Sequence, residues 1–132
     1  MSSRVRGVVV SHADLARALV SAVETISGVT GVLRPVSNEG LGPDTLRDTL
    51  SEAAADVDTI LFVDIAGGSC GMAGLRLVRE TRRAACITGV NLPMLLDFVF
   101  HREMPLDALV PRLIRKGQSG QQAHLGPAAE TD

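Results

Sequence analysis

The tetrapeptide Ser11-His12-Ala13-Asp14 carries the side chains best suited to chemistry in this chain. It follows the apolar run Val8-Val9-Val10 and precedes a segment with helical periodicity. Three consecutive β-branched residues read as a buried strand. Ser11 is a suitable N-cap, and Asp14, three residues on, stands where the acid of a capping box belongs. That reading puts His12 in the first turn of a helix, at the end of a strand. A helix N-terminus carries partial positive charge and unpaired N–H groups, so an anion bonded to His12 would be stabilised there. A histidine in such a place has the parts to carry a phosphoryl group on a ring nitrogen. Position alone does not decide this, because a lone histidine after a strand is usually incidental.

Its candidate partners lie further along the chain. Asp64 closes the apolar run Thr59-Ile60-Leu61-Phe62-Val63. A carboxylate that accepts a hydrogen bond from one ring nitrogen fixes the tautomer and leaves the other nitrogen free to attack. The plainer role for Asp64 is a helix cap or loop carboxylate. Gly67-Gly68-Ser69 offers successive N–H groups ahead of a helix, which suits phosphoryl oxygens. The plainer role there is a tight turn that needs glycine flexibility. The turn lacks the Gly-Lys-Ser/Thr ending of a P-loop and is not GxGxxG, so nucleotide binding is disfavoured. His12, His101 and His124 show no paired spacing for a metal, and no cofactor is indicated. Cys70 sits near a helix start, where a thiol pKa can fall. Packing in the turn is its simpler role, and a hydrolase built on it lacks a convincing base. Arg76, Arg79 and Arg83 make an outer stripe, either a solvated face or a docking patch.

Positioning these groups requires strands alternating with helices. After an irregular start over residues 1–4, a first strand is expected over Val5 to Val10. The helix after it shows Leu15, Leu19, Val23 and Ile26 at helical spacing and stops at Gly28. Val32, Leu33 and Val36 suggest a short second strand, confined to an edge by Pro35. Asn38 to Gly42 reads as a loop. Pro43 opens a second helix with Leu46, Leu50, Ala53 and Ala54 on its apolar face. Thr59–Val63, apolar throughout, suits a parallel strand covered on both faces. A third helix is expected from Met72 to Arg83 with Leu75 and Val78 inward. A short strand Ala85–Thr88 follows. Leu92-Pro93 then starts a helix that runs from Met94 to Phe100. Leu106, Leu109, Val110, Leu113 and Ile114 line the last helix, which Pro111 should kink or divide. From Gly117 the composition turns polar and glycine-rich and reads as a disordered tail. The expectation is a single-domain α/β fold over residues 1–116, a doubly wound, mostly parallel sheet of about four strands with helices on both faces, and a flexible tail over 117–132. Functional groups gather at the carboxyl ends of strands in such sheets. His12, Asp64 and Asn91 all fall at such ends.

The chain has 132 residues, 45% of them hydrophobic, with three Phe and neither Tyr nor Trp, so its core is aliphatic. A net charge of −2 gives no reason to expect nucleic acid or an anionic membrane as partner. Arg4 and Arg6 with the short valine run do not make a signal peptide, and no stretch reaches the roughly 20 apolar residues of a spanning helix. Cys70 and Cys86 are not spaced as CxxC and read as reduced thiols. A cytoplasmic domain is expected.

Three stretches in order, Val-Val-Val-Ser-His12, Phe-Val-Asp64-Ile-Ala-Gly67-Gly68-Ser69 and Gly89-Val-Asn91-Leu-Pro93-Met-Leu-Leu, resemble the IIA component of the mannose family of the bacterial phosphoenolpyruvate-dependent sugar phosphotransferase system. The similarity spans roughly residues 5 to 116. It implies a cytoplasmic α/β domain, usually a homodimer, that accepts a phosphoryl group from HPr and passes it to a IIB component serving a membrane permease. Carried over, His12 is phosphorylated and Asp64 is the active-site aspartate. Ser11, Ala13, Gly67, Gly68 and Ser69 surround the phosphoryl group, and Asn91 and Pro93 lie beside the site. The family commonly has proline after Gly-Gly-Ser; here Cys70 and Gly71 follow, and a looser turn is expected. A stand-alone regulatory phosphoacceptor, or the phosphotransfer subunit of a dihydroxyacetone-kinase-like system, would share the histidine. The Gly-Val-Asn-Leu-Pro stretch favours the mannose type.

Overall fold

The computed structural model describes residues 4–128. Four parallel strands, β1 (Arg6–Ser11), β2 (Leu33–Ser37), β3 (Thr59–Val63) and β4 (Ala84–Thr88), form one sheet in the order β2-β1-β3-β4. Five helices accompany them: α1 (Leu15–Ser27), α2 (Pro43–Ala53), α3 (Gly68–Val78), α4 (Leu92–Val99) and α5 (Leu106–Ser119). The chain leaves β1 toward one edge to make β2, then returns past β1 to make β3. The strand order therefore reverses at β1 and β3, and the crevice where ligands bind in such sheets opens at their carboxyl ends.

The central strands are buried on both faces, and their period of two divides the core. Val9, Ile60 and Phe62 pack with α1, α4 and α5, where the Phe62 and Phe98 rings meet edge to face at 5.0 Å. Val8, Val10, Leu61 and Val63 pack with α2 and α3. β2 is an edge strand that includes Pro35, as its sequence predicts. Pro43 sits at the start of α2, and Gly28 ends α1 in the left-handed conformation at φ 74°.

Four local expectations need correction. In α1 the buried stripe is Ala16, Val20 and Val23, while Leu15 is 45% and Ile26 62% exposed. The period is right but the phase is not: in the first two turns the face toward the sheet lies one residue later, and the two readings share only Val23. α3 begins at Gly68 and not Met72, ends at Val78, and turns Leu77 inward while Leu75 is 48% exposed. α5 runs unbroken across Pro111. Both Pro111 and Asp107, whose carbonyl the proline leaves without its helical donor, are exposed, so water can serve that carbonyl. α5 also continues through Ser119, with Gly117 buried, so the helix does not end at Lys116.

Residues 121–128 have no regular secondary structure and are exposed. The expected irregular start falls at residues 1–3, and part of the expected tail at 129–132, outside the described residues. Among the described residues no helix is long and apolar enough to cross a membrane.

Candidate functional site

His12 and Asp64 leave adjacent strands side by side. Val10 pairs with Val63, and the Asp64 N–H donates to the Val10 carbonyl at 3.1 Å, continuing the ladder to the point where both side chains emerge. His12 Nδ1 lies 2.9 Å from Asp64 Oδ2. The same oxygen accepts the His12 backbone N–H at 3.0 Å, and Oδ1 accepts the Ile65 N–H at 2.9 Å. The Asp64 side chain is 11% exposed and the imidazole 42%, so the carboxylate is enclosed and the ring is open. Burial by itself would raise the Asp64 pKa. Hydrogen bonds from the His12 backbone and ring, the charge on that ring and the Ile65 N–H outweigh it and hold the carboxyl below its ordinary value. An ionised Asp64 can only accept, so Nδ1 carries a proton, and in the neutral ring the lone pair then lies on Nε2.

Nε2 faces the glycine turn. Gly68 has φ +82°, and a Cβ built on it would stand 3.0 Å from His12 Nε2. Gly68 is the first residue of α3, whose leading N–H groups have no carbonyl within the helix to bond. The structure thus brings Gly68 to the ring, and the helix start beside Nε2 is that of α3.

His12 itself is not in the first turn of α1. That helix starts at Leu15 with Asp14 as N-cap, and Asp14 makes no side-chain capping bond, so the expected capping box is absent. Residues 12–14 form a loop in which Ala13 is left-handed at φ 52°. Ser11 is fully buried: its hydroxyl accepts the Ala16 N–H at 2.6 Å and donates to the His12 carbonyl at 3.1 Å. It shapes the loop rather than presenting its hydroxyl outward. Asn91 caps α4, accepting the Met94 N–H at 3.2 Å, and donates to the Gly117 carbonyl at 2.8 Å. Both side-chain ends are thereby committed to the α4–α5 junction, and Pro93 packs there against Gly120.

Two residues at the carboxyl end of β2 escaped the sequence reading. Ser37 Oγ donates to the Ala13 carbonyl at 2.8 Å, and Asn38 Nδ2 donates to Ser69 Oγ at 3.0 Å. They tie the histidine loop and the glycine turn to the edge strand. Their position at the end of β2, on the same rim, was the available signal. Cys70 is fully buried, and burial first, then the charge of Asp64, push its thiol pKa up. The helix start does not activate it. Gly71 tightens the turn instead of loosening it, because a Cβ there would overlap the Ala66 carbonyl oxygen.

Fold and site define a parallel α/β domain that presents one carboxylate-held imidazole at its switch point. Residues 7–112 match the EIIA-man family model, described as the phosphotransferase system fructose IIA component. The sorbose-specific EIIA component of Lacticaseibacillus casei is 30% identical over 115 residues, covering 82% of each chain. A phosphotransferase system EIIA structure from Streptococcus agalactiae superposes with a TM-score of 0.84 at 22% identity, covering 90% of this chain and 96% of that one. The mannose/sorbose-specific IIA subunit from Enterococcus faecalis superposes with a TM-score of 0.81 at 19% identity, covering 96% and 99%. The chain belongs to the mannose-type IIA family of the sugar phosphotransferase system, and so to the phosphoryl carriers of sugar uptake.

Proposed function

We propose that His12 accepts the phosphoryl group from the phosphohistidine of HPr and passes it to a IIB component. The observation that carries this reading is the contrast between the two ring nitrogens: Nδ1 is held by Asp64, and Nε2 faces the start of α3 at Gly68. In the forward step the donor's N–P bond breaks as the Nε2–P bond forms. The Nδ1 proton stays in its bond to Asp64, which stabilises the positive character that develops on the ring. N–H groups of Ala13, Gly67, Gly68 and Ser69, with the Ser69 hydroxyl, receive the phosphoryl oxygens. Ser11 acts indirectly, by fixing the loop. Catalysis then consists of positioning and electrostatics, with imidazole as both leaving group and nucleophile. The protein works as a cytoplasmic homodimer and meets the membrane only through a permease.

The test is intact-mass measurement after incubation with phosphoenolpyruvate, enzyme I and HPr. Wild type is expected to gain one acid-labile phosphoryl group and His12→Ala none. Equal labelling of both proteins, or no labelling of wild type while a known acceptor is labelled, overturns the reading.

A further inference from the structure

The rim holds one group that phosphoryl transfer leaves idle. Among the described residues, one set of three side chains brings metal-ligating atoms together: those of His12, Asp64 and Cys70 all lie within 4.8 Å of one another. Imidazole nitrogen, carboxylate oxygen and thiol sulfur are the donors that zinc takes. Bonds of about 2.0–2.3 Å put neighbouring ligand atoms of a tetrahedral zinc roughly 3.3–3.8 Å apart. The His12–Asp64 pair, at 2.9 Å, needs only to open slightly, and the sulfur to approach by about 1 Å. Asp64 follows the last residue of β3 with its side chain 11% exposed, and Cys70 is fully buried in the first turn of α3. The imidazole side is 42% exposed, which leaves a path for an ion and room for water as a fourth ligand.

We infer that this rim binds a zinc-class divalent cation through His12, Asp64 and Cys70, and that the loaded protein cannot be phosphorylated. The second half rests on the proposed role of His12; the first does not. On binding, the Cys70 thiol gives its proton to solvent, and thiolate, carboxylate and an imidazole lone pair fill three positions on the metal. Either ring nitrogen leads to the same end. A metal on Nε2 occupies the lone pair that would attack phosphorus. A metal on Nδ1 forces the ring proton onto Nε2, which removes that lone pair. The site is therefore a switch that reads available zinc and silences the carrier.

Cobalt(II) tests the site without any phosphoryl donor. Reduced full-length protein is titrated and its absorption recorded. One equivalent is expected to produce a thiolate-to-cobalt band in the near ultraviolet with visible bands of four-coordinate cobalt, and zinc should displace both. Cys86→Ala should keep the thiolate band. His12→Ala should weaken cobalt binding by at least about tenfold, and Cys70→Ser should abolish the thiolate band. Circular dichroism checks that each variant folds. The second arm measures phosphorylation with and without excess zinc, each protein against its own zinc-free rate. Zinc should slow wild type more than about tenfold while the ratio for Cys70→Ser stays near one. No thiolate band in wild type, or one that survives Cys70→Ser, overturns the site. Equal ratios for the two proteins overturn the switch. If neither protein is phosphorylated without zinc, the switch falls with the His12 reading, and the cobalt spectrum alone judges the site.

Discussion

The two nitrogens of His12 have different neighbours, and each predicts a distinct failure. Asp64→Asn preserves the shape of the side chain but removes the charge that orients the ring and favours its positive form. Phosphoryl transfer is expected to slow by about a hundredfold with the fold intact, read as the rate of mass gain. The same residue predicts a pH effect. Its carboxyl is held below the ordinary value in the folded state, so its stabilising contribution is complete above the unfolded pKa of about 3.9 and is lost as pH falls through the folded value. Asp97, hydrogen-bonded by Arg112 at 2.7 and 2.9 Å, is lowered in the same sense. Urea unfolding between pH 7 and pH 3 should therefore show an acid limb that Asp64→Asn flattens in part. On the Nε2 side, two adjacent glycines separate backbone freedom from reactivity. Gly67 is extended at φ −85° with nothing within 4 Å of a built Cβ, so Gly67→Ala should melt close to wild type. Gly68→Ala forces a side chain into the left-handed region, a cost of about 1–2 kcal/mol, and puts a methyl at the reactive nitrogen. Its phosphorylation should drop far more than its melting temperature. Equal transfer rates for the two variants would show that Nε2 does not face the turn in solution. The pairing of His12 with Asp64 was legible from the ends of two apolar runs. The loop conformation was not, because Ala13 at positive φ is stabilised by a hydroxyl that arrives from Ser37.

Among the elements, α3 departs most from its sequence pattern. Gly68, Ser69, Cys70 and Gly71 have poor helix propensity and read as a turn. They are helical because the missing side chains let the helix lie against its surroundings: Gly71 against the Ala66 carbonyl, and Gly74 against the Cys86 sulfur and Val63. Close packing outweighs the propensity deficit, and it moves the helix start back by one turn, to the histidine. Gly71→Ala tests this. The added methyl has only rigid backbone to displace, so a loss of about 2–3 kcal/mol is expected by chemical denaturation, with slower phosphorylation because the helix start retreats from Nε2. A neutral result would mean that α3 does not approach the turn this closely. The strands needed no such help. Thr59–Val63 is buried at every position and apolar from Ile60 on, which suits a parallel strand covered on both faces. α1 and α5 kept their period but not their details, since phase and end depend on what lies beneath them.

For the whole molecule, the boundary of the folded unit lies beyond Lys116. The Gly117 carbonyl accepts from Asn91, and Gly117 leaves space that Met94 fills. A chain ending at Gly120 should melt like the full protein. A chain ending at Lys116 should lose about 1 kcal/mol, measured by urea unfolding, because the half-buried Asn91 amide loses its acceptor. Equal stability would show that the α4–α5 junction contributes nothing. The sequence by itself determined the alternation of strands and helices, the edge position of β2 and the candidacy of His12, Asp64 and the glycine turn. Those features rest on local pattern: burial period, β-branching and the residues that end an element. Only the tertiary structure decided which helix points its N-terminus at the histidine, how Ser37 and Asn38 hold the rim, and that Cys70 shares it. Those facts depend on segments far apart in the chain being pressed together, and no local spacing encodes the direction in which they meet.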